Sequence, residues 1–93
     1  MKTTNYYGTK FKVNEKTLEI TANTFCKTYL NTKLNRYYVS WMTEDGKMKR
    51  TPRARIICQA FHPNNNYKHL QADHIDCDTT NDSPENLRWL TRK

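Results

Sequence analysis

The run Arg36-Tyr37-Tyr38-Val39-Ser40-Trp41-Met42 narrows the fold of this chain more than any other. β-Branched and aromatic side chains dominate it, as they do in strands. Glu44-Asp45-Gly46-Lys47 follows, and its glycine supplies the positive φ of a tight reversal. Met48-Lys49-Arg50-Thr51 returns, and Pro52 ends or edges the second strand because it has no amide hydrogen to give. A chain committed to this hairpin must bury one face of a sheet with little material. Only 35% of its 93 residues are hydrophobic, so the core is thin and rests on six Tyr, three Phe and two Trp. Such a core stabilises by several kcal/mol, roughly 5.

The rest of the pattern reads as one small α+β unit. Residues 1–9 are a loose arm or a first strand. Lys10-Phe11-Lys12-Val13 and Thr17-Leu18-Glu19-Ile20 alternate around a turn at Asn14-Glu15-Lys16, which predicts a hairpin. Phe25, Tyr29 and Leu30 have near-helical spacing, and Thr21 or Asn23 would cap the segment, so a short helix is expected over Thr21 to Leu34. A second helix is expected over Arg53 to Phe61, with Ile56, Ile57, Ala60 and Phe61 on one side and Pro63-Asn64-Asn65-Asn66 as its stop. Strands are expected at Leu70 to Ile75 and Leu87 to Thr91, joined by the polar loop Cys77 to Glu85. There is no internal repeat and no low-complexity linker. The expected organisation is a β-rich basic part, 1–52, leading through the helix into a hairpin within 53–93, the two packed as one compact unit.

The net charge of +7 is unevenly placed. Residues 1–72 carry +9 and residues 73–93 carry −2. A basic body with an acidic tip suits a phosphate-binding platform that carries a metal centre. The basic residues Lys33, Arg36, Lys47, Lys49, Arg50, Arg53 and Arg55 interleave with Tyr37, Tyr38 and Trp41. One face of a twisted hairpin carrying them would follow a nucleic-acid backbone, while a solvated sheet face is the plainer alternative. Cys26, Cys58 and Cys77 are odd in number and form no CxxC. With no apolar leader and no run near the ~20 apolar residues of a membrane span, a reduced, cytoplasmic chain is expected.

Asp73-His74-Ile75-Asp76, with Asn86-Leu87-Arg88-Trp89 starting twelve positions after the histidine, is where unlike reactive groups gather. Phosphodiester hydrolysis needs a base for water, a Lewis acid at the phosphate and a phosphate clamp. His74 is fit to take a proton near neutral pH. Asp73 offers hard oxygens for Mg²⁺ or Mn²⁺ and faces away from His74 if the strand is regular. Asn86 is placed to hold the loop or the imidazole, and Arg88 joins the cationic groups. Asp76, Asp78 and Asn81 read as loop-stabilising side chains. His62 and His69 read as structural or exposed; Leu87 and Trp89 read as core.

These motifs, together with Arg55-Ile56-Ile57-Cys58-Gln59-Ala60-Phe61-His62-Pro63-Asn64, resemble the HNH endonucleases of bacteriophages, most of all the free-standing and intron-encoded homing type. The resemblance spans about residues 36–93. It implies a ββα-metal fold, His74 as general base, Asp73 as metal ligand and Asn86 as the central asparagine. It also implies cleavage of double-stranded DNA with a divalent cation, in the host cytoplasm if the chain is phage-encoded. Three departures stand out. Cys77 occupies the position where the family usually has glycine, and Ala54 one where it often has histidine. The family's third motif residue sits on a helix that Thr91-Arg92-Lys93 would only begin, so the final helix is short or missing.

Two other classes are compatible with the sequence. One is a catalytically impaired HNH-derived protein that binds DNA, or a protein partner, without cutting. The other is a zinc-stabilised module, for which Cys58 and His62 are the nearest pair. A monomer is expected in each case.

Overall fold

The structure, a computed structural model, describes residues 1–91, and among these it forms eight strands and one α-helix. β1 (Lys2–Tyr6) pairs antiparallel with β2 (Thr9–Val13), Tyr6 opposite Thr9. Tyr7 and Gly8 make the reversal at φ 49° and 83°. Positive φ at both positions is what a two-residue type I′ turn requires, and glycine adopts it without steric cost. The first residues are therefore strand rather than loose arm. β3 (Ile20–Ala22) completes this sheet, with Ile20 opposite Val13. The reversal before it takes in residues 14–19, longer than the three-residue turn expected. Asn14 organises it by accepting the Lys16 and Thr17 amides at 2.9 and 3.2 Å.

The helix expected over Thr21 to Leu34 does not form. β4 (Cys26–Asn31) takes its place and pairs with β5 (Arg36–Met42), which pairs in turn with β6 (Met48–Pro52). Phe25 and Leu30, which a helix would have had to bury on one side, are exposed. Tyr29 instead stacks on Tyr38 across the β4–β5 pair, centroids 6.1 Å apart. Asn and Thr favour local hydrogen bonds over helix, and every residue of β4 finds a partner on β5. The Asn31 side chain then closes the turn, accepting the Lys33 and Leu34 amides at 3.1 Å each.

The helix α1 (Arg53–Phe61) has the expected bounds and packs against both three-stranded sheets and the last hairpin. Ile56, Ile57 and Cys58 are fully buried on it, and Arg53 through Ala60 are buried all round. A short helix closed in on every side is the centre of the core rather than a surface layer. Phe11 of β2 meets Trp41 of β5 edge to face at 5.3 Å, so the two sheets share one apolar seam with Val13, Ile20 and Val39. The Trp41 indole, too deep for water, donates to Thr51 Oγ1 at 3.0 Å. The His62 amide returns to the Cys58 carbonyl at 2.7 Å, and Pro63 follows, ending α1.

β7 (Leu70–His74) and β8 (Leu87–Thr91) make a separate two-stranded sheet. β7 stops one residue before its expected end; β8 matches. Leu87 enters the core, and Trp89 packs against it while donating to the His62 carbonyl at 2.9 Å. Among the described residues no helix is long and apolar enough to cross a membrane.

Candidate active site

His74 closes β7 opposite Leu87, and Asp73 stands opposite Arg88. The alternation of a strand sends the two in different directions: His74 is buried, Asp73 is half-buried. Both nevertheless line one open cleft of about 470 Å³, together with Arg36, Tyr37, Arg55 and Asp82. Asp73 Oδ2 accepts from Arg88 Nε at 2.9 Å, so one carboxylate oxygen is engaged across the hairpin.

The loop after His74 is built by side chains bonding to nearby backbone. The Cys77 amide donates to the His74 carbonyl at 3.0 Å, with Cys77 itself at φ 65°. Asn86 spans the loop. Its Oδ1 accepts the Asp76 amide at 3.1 Å, and its Nδ2 donates to Asp76 Oδ1 and to the Asn81 carbonyl, each at 2.9 Å. Asn81 Nδ2 donates to the other Asp76 oxygen at 3.0 Å. Of the two roles expected for Asn86, this geometry serves the loop and not the imidazole. The hydrogen bonds from Asn81, the Asp78 amide and Asn86 hold the Asp76 carboxyl below the usual carboxylate range. The Thr80 hydroxyl and amide do the same for Asp78.

The imidazole is held by Asp82, a residue with no motif around it. His74 Nε2 lies 2.6 Å from Asp82 Oδ1, and Asp82 Oδ2 accepts from Arg53 Nε at 2.9 Å. Asp82 is 1% exposed. It sits in Asn81-Asp82-Ser83-Pro84, a stretch that in sequence reads only as turn chemistry. No motif marks it; the one available signal is a carboxylate returning beside the histidine once the loop is closed.

Arg53 and Arg55 were expected among the phosphate contacts, and the structure places them differently. Both are buried on α1. Arg53 lies 4.0 Å over the Tyr37 ring while it holds Asp82. Arg55 donates to the Tyr6 hydroxyl at 2.6 Å, the Leu70 carbonyl at 2.6 Å and the Tyr67 carbonyl at 2.7 Å. A buried guanidinium must be satisfied internally, and each of these is occupied in tying segments together. Sequence alone does not separate such an arginine from an exposed one, since helical spacing here places charge inside.

Nor do the remaining basic residues share one face. Arg50 and Lys27 flank Ser40 on the outer side of the β4–β5–β6 sheet, in the same layer as the Tyr29–Tyr38 stack. Lys49 is opposite Trp41, on the other side, and reaches over the Tyr7 ring at 5.8 Å. Lys47 is exposed in the hairpin turn with Asp45 at 4.0 Å, Lys33 is exposed in the β4–β5 turn, and Arg36 is at the cleft. Arg88 is exposed beside Asp73.

His62 Nε2 bonds the Pro84 carbonyl at 2.8 Å and Cys58 is fully buried, so that pair does not converge on a zinc. Among the described residues no three His, Cys, Asp or Glu side chains gather as a metal site.

A family model described as HNH endonuclease matches residues 53–93. The match supports HNH family membership for the segment that opens with α1, and with it a nuclease-type function for which DNA is the implied substrate. The match opens at Arg53, inside the span of about 36–93 over which the motifs resemble the family. No curated protein and no solved structure matches the chain.

Proposed function

We propose that this chain is a metal-dependent DNA endonuclease of the homing type, hydrolysing phosphodiester bonds with His74 as general base. The observation that carries the proposal is the shared cleft: His74 and Asp73, from the segment that matches the HNH family, line it together with the cationic Arg36 of β5. The β7–β8 hairpin then serves as the two strands of a ββα-metal motif. In that motif the helix follows the second strand; residues 92 and 93, where it would begin, lie outside the described residues.

The donor set fits a cation completed by substrate. Mg²⁺ commonly rests on one or two carboxylates, with water and phosphate oxygens filling its other positions. Asp73 is the residue that would hold it, and the ion supplies Lewis-acid polarisation of the phosphate and neutralises charge at the leaving oxygen. His74 takes the proton of the attacking water. Asn86 keeps the loop closed through Asp76 and Asn81, which keeps β7 and β8 in register at the cleft. Arg36 meets a phosphate at the cleft mouth. The outer face of the β4–β5–β6 sheet, with Lys27, Arg50, Tyr29 and Tyr38, is the DNA platform. The chain works as a monomer on double-stranded DNA.

A second reading, a protein that occupies DNA without cutting it, draws support from the Asp73–Arg88 pair, which competes for the metal-binding carboxylate. One experiment separates the two. Supercoiled DNA carrying the chain's own genomic neighbourhood is incubated with Mg²⁺ or Mn²⁺, with an EDTA control and a His74→Ala protein. Metal-dependent nicking that disappears in His74→Ala while DNA binding persists is the expected result. Tight binding with no cleavage by the folded wild type would leave the second reading standing.

A further inference from the structure

The cleft contains one buried acid to which the reaction above gives no part. Asp82 has both oxygens engaged, Oδ1 on His74 Nε2 at 2.6 Å and Oδ2 on Arg53 Nε at 2.9 Å. Resting on the endonuclease reading, we propose that Asp82 is a positioning residue for His74. It fixes the plane of the ring and its tautomer, and so leaves Nδ1 as the nitrogen that takes the proton from water.

Donors and acceptors dictate the tautomer. A carboxylate only accepts, so the ring nitrogen facing it at 2.6 Å must carry the hydrogen. A neutral imidazole has one N–H, and with Nε2 protonated Nδ1 is the bare, basic nitrogen. Arg53 prevents the carboxylate from turning, because rotation that frees the imidazole also breaks the guanidinium contact. Arg53 is itself fixed, stacked 4.0 Å over Tyr37 and rooted on the buried helix α1. The line Tyr37–Arg53–Asp82–His74 thus runs from the β4–β5–β6 sheet through the helix to the end of β7. Asn86 is not a substitute, since its amide is committed to Asp76 and the Asn81 carbonyl. A merely structural ion pair would satisfy the same burial, and the two roles differ in what a substitution does to the proton on the ring.

Asp82→Asn keeps the shape and tests the tautomer. Arg53 continues to attract the amide oxygen, which turns the amide NH₂ towards the imidazole. The ring must then accept at Nε2 and carry its hydrogen on Nδ1, the wrong tautomer for a base at that atom. Protein labelled with ¹⁵N in its histidine rings reports this directly by long-range proton–nitrogen NMR, at a pH where the ring is neutral. Expected is the Nε2–H form of His74 in the wild type and the Nδ1–H form in Asp82→Asn. In the variant kcat falls by about 10²-fold or more while DNA affinity is unchanged. Adding Arg53→Met to Asp82→Asn frees the amide to turn round, restoring the Nε2–H form and part of the rate.

A wild-type ring in the Nδ1–H form overturns the proposal. So does an Asp82→Asn protein with unaltered tautomer and unaltered kcat. If Asp82→Asn does not fold, the wild-type spectrum alone decides. A wild type that shows the Nε2–H form, switches in Asp82→Asn and yet never cleaves DNA supports the positioning of the ring and sinks the endonuclease reading instead.

Discussion

Asp73 and Arg88 face each other across β7 and β8, joined at 2.9 Å between carboxylate and guanidinium. The group proposed to receive a cation is thus already in contact with one. Arg88→Ala should tighten the binding of Mn²⁺ to the DNA-free protein severalfold, followed by titration calorimetry or by loss of the free-ion EPR signal. The cost in stability should stay below about 1 kcal/mol, because both side chains are partly in water and screened. Unchanged Mn²⁺ affinity would count against Asp73 as the ligand.

Two neighbouring arginines should separate cleanly. Arg50→Glu, on the outer sheet face, is expected to weaken DNA binding across all sequences and to reduce the salt slope of log K by about 1 or more, with Tm nearly unchanged. Arg53→Glu sets a second carboxylate beside buried Asp82 and is expected to cost about 3–5 kcal/mol, lowering Tm before any DNA effect can be read. Thermal melts beside salt-dependent binding curves make the comparison. An Arg50 variant with wild-type affinity would remove the outer face from the proposed platform.

Cys77 holds φ 65° without being glycine. The left-handed region costs an ordinary side chain about 1–2 kcal/mol, and glycine gives back roughly 0.5–1 of this through its freer unfolded chain. Cys77→Gly should therefore raise stability by about 0.5–1 kcal/mol, a gain visible in chemical denaturation. A loss would show that the exposed thiol makes contacts worth more than the strain.

The loop braces predict an acid limb. Asp76 and Asp78 are held below their ordinary values, so each adds stability that is complete above the unfolded carboxylate value, about 3.9, and disappears as pH falls through the lower folded value. Tm should fall as pH drops from about 5 towards 2, and less steeply in Asp76→Asn. Equal slopes in the two proteins would mean that the Asp76 hydrogen bonds form no better in the folded loop than in water.

What the sequence revealed, and what it hid, follows from how local each signal is. The strand Arg36–Met42, the glycine turn at 44–47, the helix Arg53–Phe61 and the strand Leu87–Thr91 are written in adjacent residues, and they stand where expected. The segment 21–34 misled because Phe25, Tyr29 and Leu30 match a helical period while their real neighbours lie across a sheet. The pair Asn31 and Asn35, the latter at φ 52°, marks that hairpin turn and is the local cue to it. Asp73, His74 and Asn86 could be picked out by spacing. Asp82 could not, because its meaning depends on Arg53 arriving from 29 residues away. By the same token Arg53 and Arg55 looked like surface charge, since a sequence does not say that α1 is enclosed on every side.

The Arg55 contacts bear on how this nuclease segment can be moved between proteins. Its guanidinium joins the Tyr6 hydroxyl of β1 to the carbonyl of Leu70, the first residue of the strand that ends in His74. The Tyr7 amide adds a second tie, donating to the Tyr67 hydroxyl at 3.0 Å. The family match opens only at Arg53, so a phenol some fifty positions upstream helps to seat the strand that ends in His74. A graft of residues 53–93 onto a foreign carrier would inherit the motif but leave the buried Arg55 Nε–H without its acceptor. Chimeras within such a lineage would then have to exchange the first strand and the nuclease segment together, or evolve a new acceptor for that arginine.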